Sequence, residues 1–355
     1  MKVRNHNSLN PPLVSVFMAV YNTAGYLRQA IDSILLQTYT NFELIIVNDG
    51  SSDDSHNIIS SYTDPRIVYI RNEVNRGIVA SRNIGLNRVR GNYLAVLDSD
   101  DIAVPERLEK QVAFMEANPD YGLCGTHFTI IDASGKKINK TRFPQKDQDI
   151  RAYLYLGNCF CHSSTMVRTE LAKKFRYSED NILGEDYQLF IDVAGISKLA
   201  NLPFMGCYYR LHSTNVSTQM NSQMYSSIRR INRQNLIKLG ISFTDKQLDV
   251  HSQFLIFNAE YFENEDHFHE LENWVKKLVY TTQNDARMNH SVIFKFILHR
   301  WFVICYKRNK KRKLFFTPFL LRYHFKYVNL MIGEAFAHST NTYRKKIGLE
   351  ILVSV

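Results

Sequence analysis

A chain of 355 residues, 45% hydrophobic and 22% charged, is too long for one small domain and too apolar for a disordered one, and 15 Gly with 8 Pro exclude collagen-like and low-complexity architectures. Five cysteines (Cys124, Cys159, Cys161, Cys207, Cys305) are scattered and odd in number, and one residue separates the close pair, so they read as reduced thiols of a cytosolic protein rather than a disulfide frame or zinc knuckle. The formal net charge of +10 is matched by eleven Lys or Arg, with no Asp or Glu, between Ala286 and Gly333, so the basicity belongs to one C-terminal segment and the rest is near neutral. In chain order, the N-terminal MKVRNHNSLNPPL carries basic residues but no apolar run, so no secretory signal is expected. No stretch approaches the about 18 apolar residues of a membrane span.

Leu13–Ala19 predicts a strand ending in Val20-Tyr21-Asn22, and Gly25–Leu36 a helix with Tyr26, Leu27, Ala30, Ile31, Ile34 and Leu35 at helical spacing. Glu43–Val47 is a buried-strand run closed by the turn signal Asn48-Asp49-Gly50, and Ile67–Ile70 is another strand. Ile78–Val89 reads as a helix and Tyr93–Leu97 as a strand ending in Asp98-Ser99-Asp100-Asp101. Pro105 suits the first turn of the next helix, with Leu108, Val112 and Met115 on its apolar face. The alternation implies βαβ units, a mostly parallel sheet covered on both faces and an α/β fold. Ligands bind such sheets beyond the strand carboxyl ends, where Asn22, Asp49 and Asp98–Asp101 converge. Strand runs follow at Cys124–Ile131, Ser163–Val167 and Leu202–Leu211. Polar Ser213–Ser222 marks a boundary, giving a first domain over 1–217 and a helical region over 218–355.

Three carboxylates within four residues repel one another, which a fold tolerates when a cation or donor-rich ligand holds them; oxygen donors suit Mg²⁺ or Mn²⁺, and a solvated acidic turn is the plainer alternative. Asn48-Asp49-Gly50-Ser51-Ser52-Asp53 follows a second strand, and Asp53 reads as a cap for the next helix. The Asp49 carboxylate can accept from a base N–H. Asn75-Arg76-Gly77 and Ser81-Arg82-Asn83 offer cations and amides near a helix N-terminus, which suits phosphate. Walker and G-x-G-x-x-G motifs are absent.

Seven segments occur together and in order: Ala19–Leu27 (AVYNTAGYL), Gln37–Ser55 (QTYTNFELIIVNDGSSDDS), Asn75–Leu86 (NRGIVASRNIGL), Tyr93–Gln111 (YLAVLDSDDIAVPERLEKQ), Cys161–Arg168 (CHSSTMVR), Gly184–Leu189 (GEDYQL) and Tyr209–Ser217 (YRLHSTNVS). The set resembles family 2 glycosyltransferases of the GT-A fold, over roughly residues 13–217. The resemblance implies inverting transfer of a sugar from a UDP- or GDP-linked donor. By it, Val20, Tyr21, Asn22 and Asp49 contact the base, with Asp49 reading uracil, and Arg82 lies near the nucleotide. Asp98 approaches the ribose or the metal, Asp100 binds a Mn²⁺ or Mg²⁺ that bridges the diphosphate, and His212 matches a position near metal or diphosphate. Asp186 would be the catalytic base, with Glu185 as the alternative, since adjacent residues often face opposite ways. Asn48 stands where Asp is commoner in the family, and the Gln-x-x-Arg-Trp motif of processive synthases is absent, which favours single additions. One carboxylate suffices for an inverting displacement.

Among the histidines, His162 could line the acceptor pocket and His127 reads as an ordinary strand residue. The basic, aromatic segment over 287–336, with six cations in Lys307–Lys313, fits an anionic membrane surface better than nucleic acid, for which no motif appears; a solvated helical subdomain is the plain alternative. The expected enzyme is thus a hexosyl- or N-acetylhexosaminyltransferase, cytoplasmic and peripheral on the inner face of the membrane. Its acceptor would be a glycan or lipid-linked intermediate, as in capsule or lipopolysaccharide synthesis. A metal-dependent nucleotidyltransferase and a non-catalytic membrane-bound scaffold are the rivals.

Overall fold

β1 (Val14–Val20) and β2 (Phe42–Asp49) are buried along almost their whole length, as continuous apolar strands are when helices cover both faces of a parallel sheet. The computed structural model describes residues 11–213, 215, 222–283 and 289–312. They fall into two compact units, one taking the chain to Leu154 with Asn158–Ser227, the other Tyr155–Gly157 with the chain from Ile228. The boundary expected in Ser213–Ser222 lies largely outside the described residues.

In the first unit, α1 (Ala24–Leu35) buries Leu27, Ala30, Ile31 and Ile34, the stripe its spacing predicts. β3 (Ile67–Asn72) follows α2 (Ser55–Ser60), and β4 (Tyr93–Val96) follows α3 (Ile78–Arg88). β3, β2, β1 and β4 pair in parallel in that order. α3 lies close on β1 because Gly85 has no side chain: a Cβ there would fall 2.1 Å from the Phe17 ring. Gly50 turns the chain after β2 at φ +69, a left-handed conformation that glycine adopts without strain.

Beyond β4 the sheet becomes mixed. β5 (Ile102–Ala103) and α4 (Arg107–Ala117) lead to β6 (Tyr121–Asp132), and β7 (Lys137–Thr141) hairpins back onto it. α5 (Asp147–Leu154), β8 (Met166–Arg168), α6 (Thr169–Phe175), α7 (Glu185–Ala194) and β9 (Lys198–Leu211) complete the unit. The order is β3-β2-β1-β4-β8-β6-β9-β5, with β8 antiparallel to β4 and β6, and β9 parallel to β6. The GT-A architecture is thus present, parallel in its first half and mixed in its second. The strand expected over Ser163–Val167 begins later, because His162–Ser164 forms a 3₁₀ turn. The Ser164 and Thr165 hydroxyls donate to the Cys161 and His162 carbonyls at 2.9 and 2.8 Å, local bonds that compete with a ladder.

The second unit is helical. It holds α8 (Ser222–Lys238) from Ile228, then α9 (Asp245–Leu255), α10 (Glu265–Gln283) and α11 (His290–Arg312). Thr244 and Gln247 form a capping box that starts α9. Phe254, Leu271, Trp274, Ile293, Ile297 and Ile304 are buried in it. α11 carries much of the described part of the basic segment, and several of its side chains are buried. Trp301 is buried beside Phe268, and Arg300 is buried between the Phe257 and Phe296 rings, 4.0 and 4.2 Å from their centroids. Arg308 pairs with Glu265 and stacks on Phe268. Residues 313–336 of that segment lie outside the described residues. Among the described residues, no helix is long and apolar enough to cross a membrane.

Candidate active site

Because β1, β2 and β4 run parallel in neighbouring positions, their carboxyl ends bring Asn22, Asp49 and Asp98 to one edge. Val20 is fully buried, so its side chain belongs to the core, whereas Tyr21 is half exposed. Asn22 takes the left-handed conformation that Asn tolerates, at φ 52. Its amide N–H donates to Ser51 Oγ at 3.0 Å and its side-chain oxygen accepts from the Ser52 N–H at 2.9 Å, which ties the loops after β1 and β2. Asp53 caps two helices, accepting from the Ala24 N–H at 2.8 Å and the Ser55 N–H at 3.1 Å. Asp49 is buried and accepts three hydrogen bonds: Asn72 Nδ2 at 2.7 Å and the Arg76 N–H at 2.9 Å on Oδ1, and the Gly77 N–H at 2.9 Å on Oδ2. Its carboxylate therefore shapes the loop before α3, leaving Oδ2 the less occupied oxygen.

Arg82 turns inward from α3. Its guanidinium pairs with Glu185, lies 3.5 Å from Asp98 Oδ1 and donates to His162 Nδ1 at 3.1 Å. Burial opposes the Arg82 charge, but the Glu185 and Asp98 carboxylates outweigh it and raise its pKa above the ordinary value. With Nδ1 accepting, His162 carries its proton on Nε2, which meets Tyr177 Oη at 3.2 Å. Burial works to raise the Asp98 carboxyl, yet the Arg82 guanidinium and the Ser163 hydroxyl, 2.9 Å from Oδ2, hold it well below the usual carboxylate range.

Glu185 and Asp186 open α7 and face different surroundings. Glu185 is buried on Arg82. Asp186 is half-buried; Oδ1 accepts from the Tyr187 N–H at 2.7 Å, and among the described residues Oδ2 meets a long 3.4 Å contact from Asn158 Nδ2. The α7 N-terminus favours a charged carboxylate there.

A second cluster forms where β9 ends. His212 Nε2 lies 2.9 Å from Asp100 Oδ2, and Asn215 Nδ2 donates to the same oxygen at 3.3 Å. Asp101 turns away into the interior, where Oδ1 accepts the Arg210 N–H at 2.8 Å; burial and neighbouring Asp100 push its carboxyl well above the ordinary range. A carboxylate oxygen and an imidazole nitrogen are a donor set that suits Mn²⁺ or Mg²⁺, and Asp100 and His212 are the residues that would hold one. Among the described residues no group of three or more His, Cys, Asp or Glu is arranged around a metal position. Asp98 accordingly stands apart from the pair, drawn to Arg82, His162 and Ser163.

Arg82 and His162 were expected at the nucleotide and the acceptor; the structure brings both into one buried network with Glu185 and Asp98. Ser163, Tyr177, Tyr26 and Arg210 were not singled out. Arg210 lies two residues before His212 in the quoted YRLHS, a spacing that places both on one strand face, and that signal was available.

The family model "Glycosyl transferase family 2" matches residues 15–176. An uncharacterized glycosyltransferase of Haemophilus influenzae is 35% identical over 65% of this chain and 77% of its own length. The Escherichia coli UDP-Glc:alpha-D-GlcNAc-diphosphoundecaprenol beta-1,3-glucosyltransferase WfaP is 32% identical over 58% of this chain and 80% of its own. S. aureus TarS 1–349, solved in complex with UDP-GlcNAc, shares the fold with a TM-score of 0.57 at 18% identity, over 84% of this chain and 87% of that one. With those strand ends, that acidic loop and these relatives, the chain belongs to glycosyl transferase family 2.

Proposed function

We propose that this protein is an inverting, single-addition glycosyltransferase that uses a nucleotide-sugar donor, with UDP favoured, and Asp186 as its base. One observation carries the mechanism: Glu185 is locked on Arg82, whereas Asp186 keeps a weakly held carboxylate oxygen at the start of α7. Asp186 takes the proton of the acceptor hydroxyl as that oxygen attacks the anomeric carbon; the bond to the nucleoside diphosphate breaks on the opposite face. Asp100 and His212 are the residues that would hold Mn²⁺ or Mg²⁺, which when bound supplies charge neutralisation to the departing diphosphate. Arg82 positions Glu185 and Asp98 rather than touching the nucleotide. Asp49, with Tyr21 and Asn22, borders the base site.

The UDP preference and a lipid-linked or glycan acceptor are supported by what WfaP is named for and by the UDP-GlcNAc bound to TarS. Surface polysaccharide synthesis at the inner membrane face is the setting we infer, with Lys310, Lys311 and Lys313 as the membrane contact. A nucleotidyltransferase reading gives way to the family, because it leaves Glu185-Asp186 without a role. A thermal-shift panel of UDP- and GDP-sugars with Mn²⁺ tests the reading: one donor raises the melting temperature by mass action and is then consumed with an acceptor. A panel in which no nucleotide sugar stabilises the protein overturns it.

A further inference from the structure

We propose that Tyr26 and Arg210 are positioning residues that set the Asp100–His212 pair for metal, an inference that rests on the metal reading above. The Tyr26 ring touches two groups, with the Arg210 guanidinium 4.7 Å from its centroid and the His212 ring 4.8 Å away, tilted by 32°. Arg210 is buried, and its donors reach three separate parts of the chain. Nε donates to the Asp100 carbonyl at 2.9 Å, Nη1 to the Ala133 carbonyl at 3.2 Å, and Nη2 to Gln29 Oε1 at 2.7 Å. Its own N–H holds Asp101. Arg210 thus fixes the backbone of one donor residue, Asp100, while Tyr26, braced on Arg210, fixes the ring plane of the other, His212.

The arrangement suits a cation at Asp100 and His212 for a second reason. An imidazole on a divalent ion gains positive character, and an aromatic face stabilises positive charge. The same ring also meets the Arg210 guanidinium, so Arg210 and His212 share one aromatic support. Groups that orient metal ligands from outside are commonly worth about 10- to 100-fold in metal affinity.

The test uses the full chain with UDP at a fixed saturating concentration and reads bound Mn²⁺ by electron paramagnetic resonance. Tyr26→Leu removes the ring but keeps an apolar helix residue, and Tyr26→Phe restores the ring. We expect Tyr26→Leu to weaken Mn²⁺ binding by about 10- to 100-fold, Tyr26→Phe to bind like the parent, and UDP affinity without metal to stay unchanged in both. Arg210→Lys, which keeps charge and loses the fork, should resemble Tyr26→Leu. Parental Mn²⁺ affinity in Tyr26→Leu overturns the inference alone, as does an equal loss of metal-free UDP binding, which would mark a general disturbance. A parent that binds no Mn²⁺ overturns the metal reading and this inference with it.

Discussion

Glu185 and Asp186 are adjacent in sequence and opposite in circumstance, so their amide variants should fail differently. Asp186→Asn cannot take a proton, and transfer should fall by about 10²- to 10⁴-fold with donor affinity and melting temperature unmoved. Glu185→Gln takes from the buried Arg82 the nearer of its two carboxylate partners and leaves Asp98 alone to balance it; breaking a buried pair costs on the order of 3–5 kcal/mol, read as a loss of unfolding free energy in urea. If Glu185→Gln loses only turnover and Asp186→Asn only stability, the two roles are reversed. His251 offers a pH prediction in the second unit. It accepts from Trp274 Nε1 at 3.0 Å, and burial lowers its pKa from 6.5 to about 3. Between those values the unfolded chain binds a proton the folded one excludes, so stability falls as pH drops through the window, by about 1.4 kcal/mol per unit at most. His251→Gln keeps an acceptor for the indole and cannot titrate there. It should flatten the pH dependence of denaturation; an unchanged slope would clear His251 of responsibility.

Among the elements, the α3–β1 contact is the most easily tested. Gly85→Ala would drive a methyl into the Phe17 ring, and such overpacking costs about 1–3 kcal/mol. Adding Phe17→Leu should recover part of that loss in thermal melts, and a Gly85→Ala protein as stable as the parent would show the helix free to shift. The strands legible in the sequence were those with a buried, uninterrupted apolar run, such as Leu44–Val47 within β2. β7 is mostly exposed and reads KINKT, with no apolar run to betray it, and β5 is two residues long, held by Tyr208 and Cys207 across the sheet. The antiparallel turn of β8 was also illegible, because strand direction follows from what the chain does before and after it, not from three residues. At the site, residue types and strand-end positions were readable, since carboxylates after buried strands can go nowhere else. Where a long side chain turns was not: Arg82 carries the same helical spacing whether it meets phosphate or Glu185.

At the scale of the whole molecule, two basic residues of the C-terminal segment are already committed. Arg300 and Arg308 are held inside the second unit, so they add nothing to a lipid surface. The membrane attraction we propose is read from the sequence alone for Lys310, Lys311 and Lys313, each worth about 1 kcal/mol near anionic lipid and screened by salt. Replacing these three with Ser should release the protein from vesicles containing phosphatidylserine, while transfer to a small soluble acceptor persists. Equal sedimentation of parent and variant with neutral and anionic vesicles would remove the membrane from this reading.

The hydrogen bond from Arg210 to Gln29 joins residues 181 apart in the chain. Closing so long a loop is entropically costly and slow, and nothing local compensates until β9 has docked. Asp100 and His212 therefore become neighbours late, after the β1–β2–β4 half of the sheet has had every chance to form. In a refolding experiment the recovery of UDP–Mn²⁺ binding should lag the recovery of far-ultraviolet circular dichroism. On the ribosome the first hundred residues would emerge with the strand ends that carry Asn22, Asp49 and Asp98 but without His212, so the site we propose would stay incomplete until most of the first unit had been made.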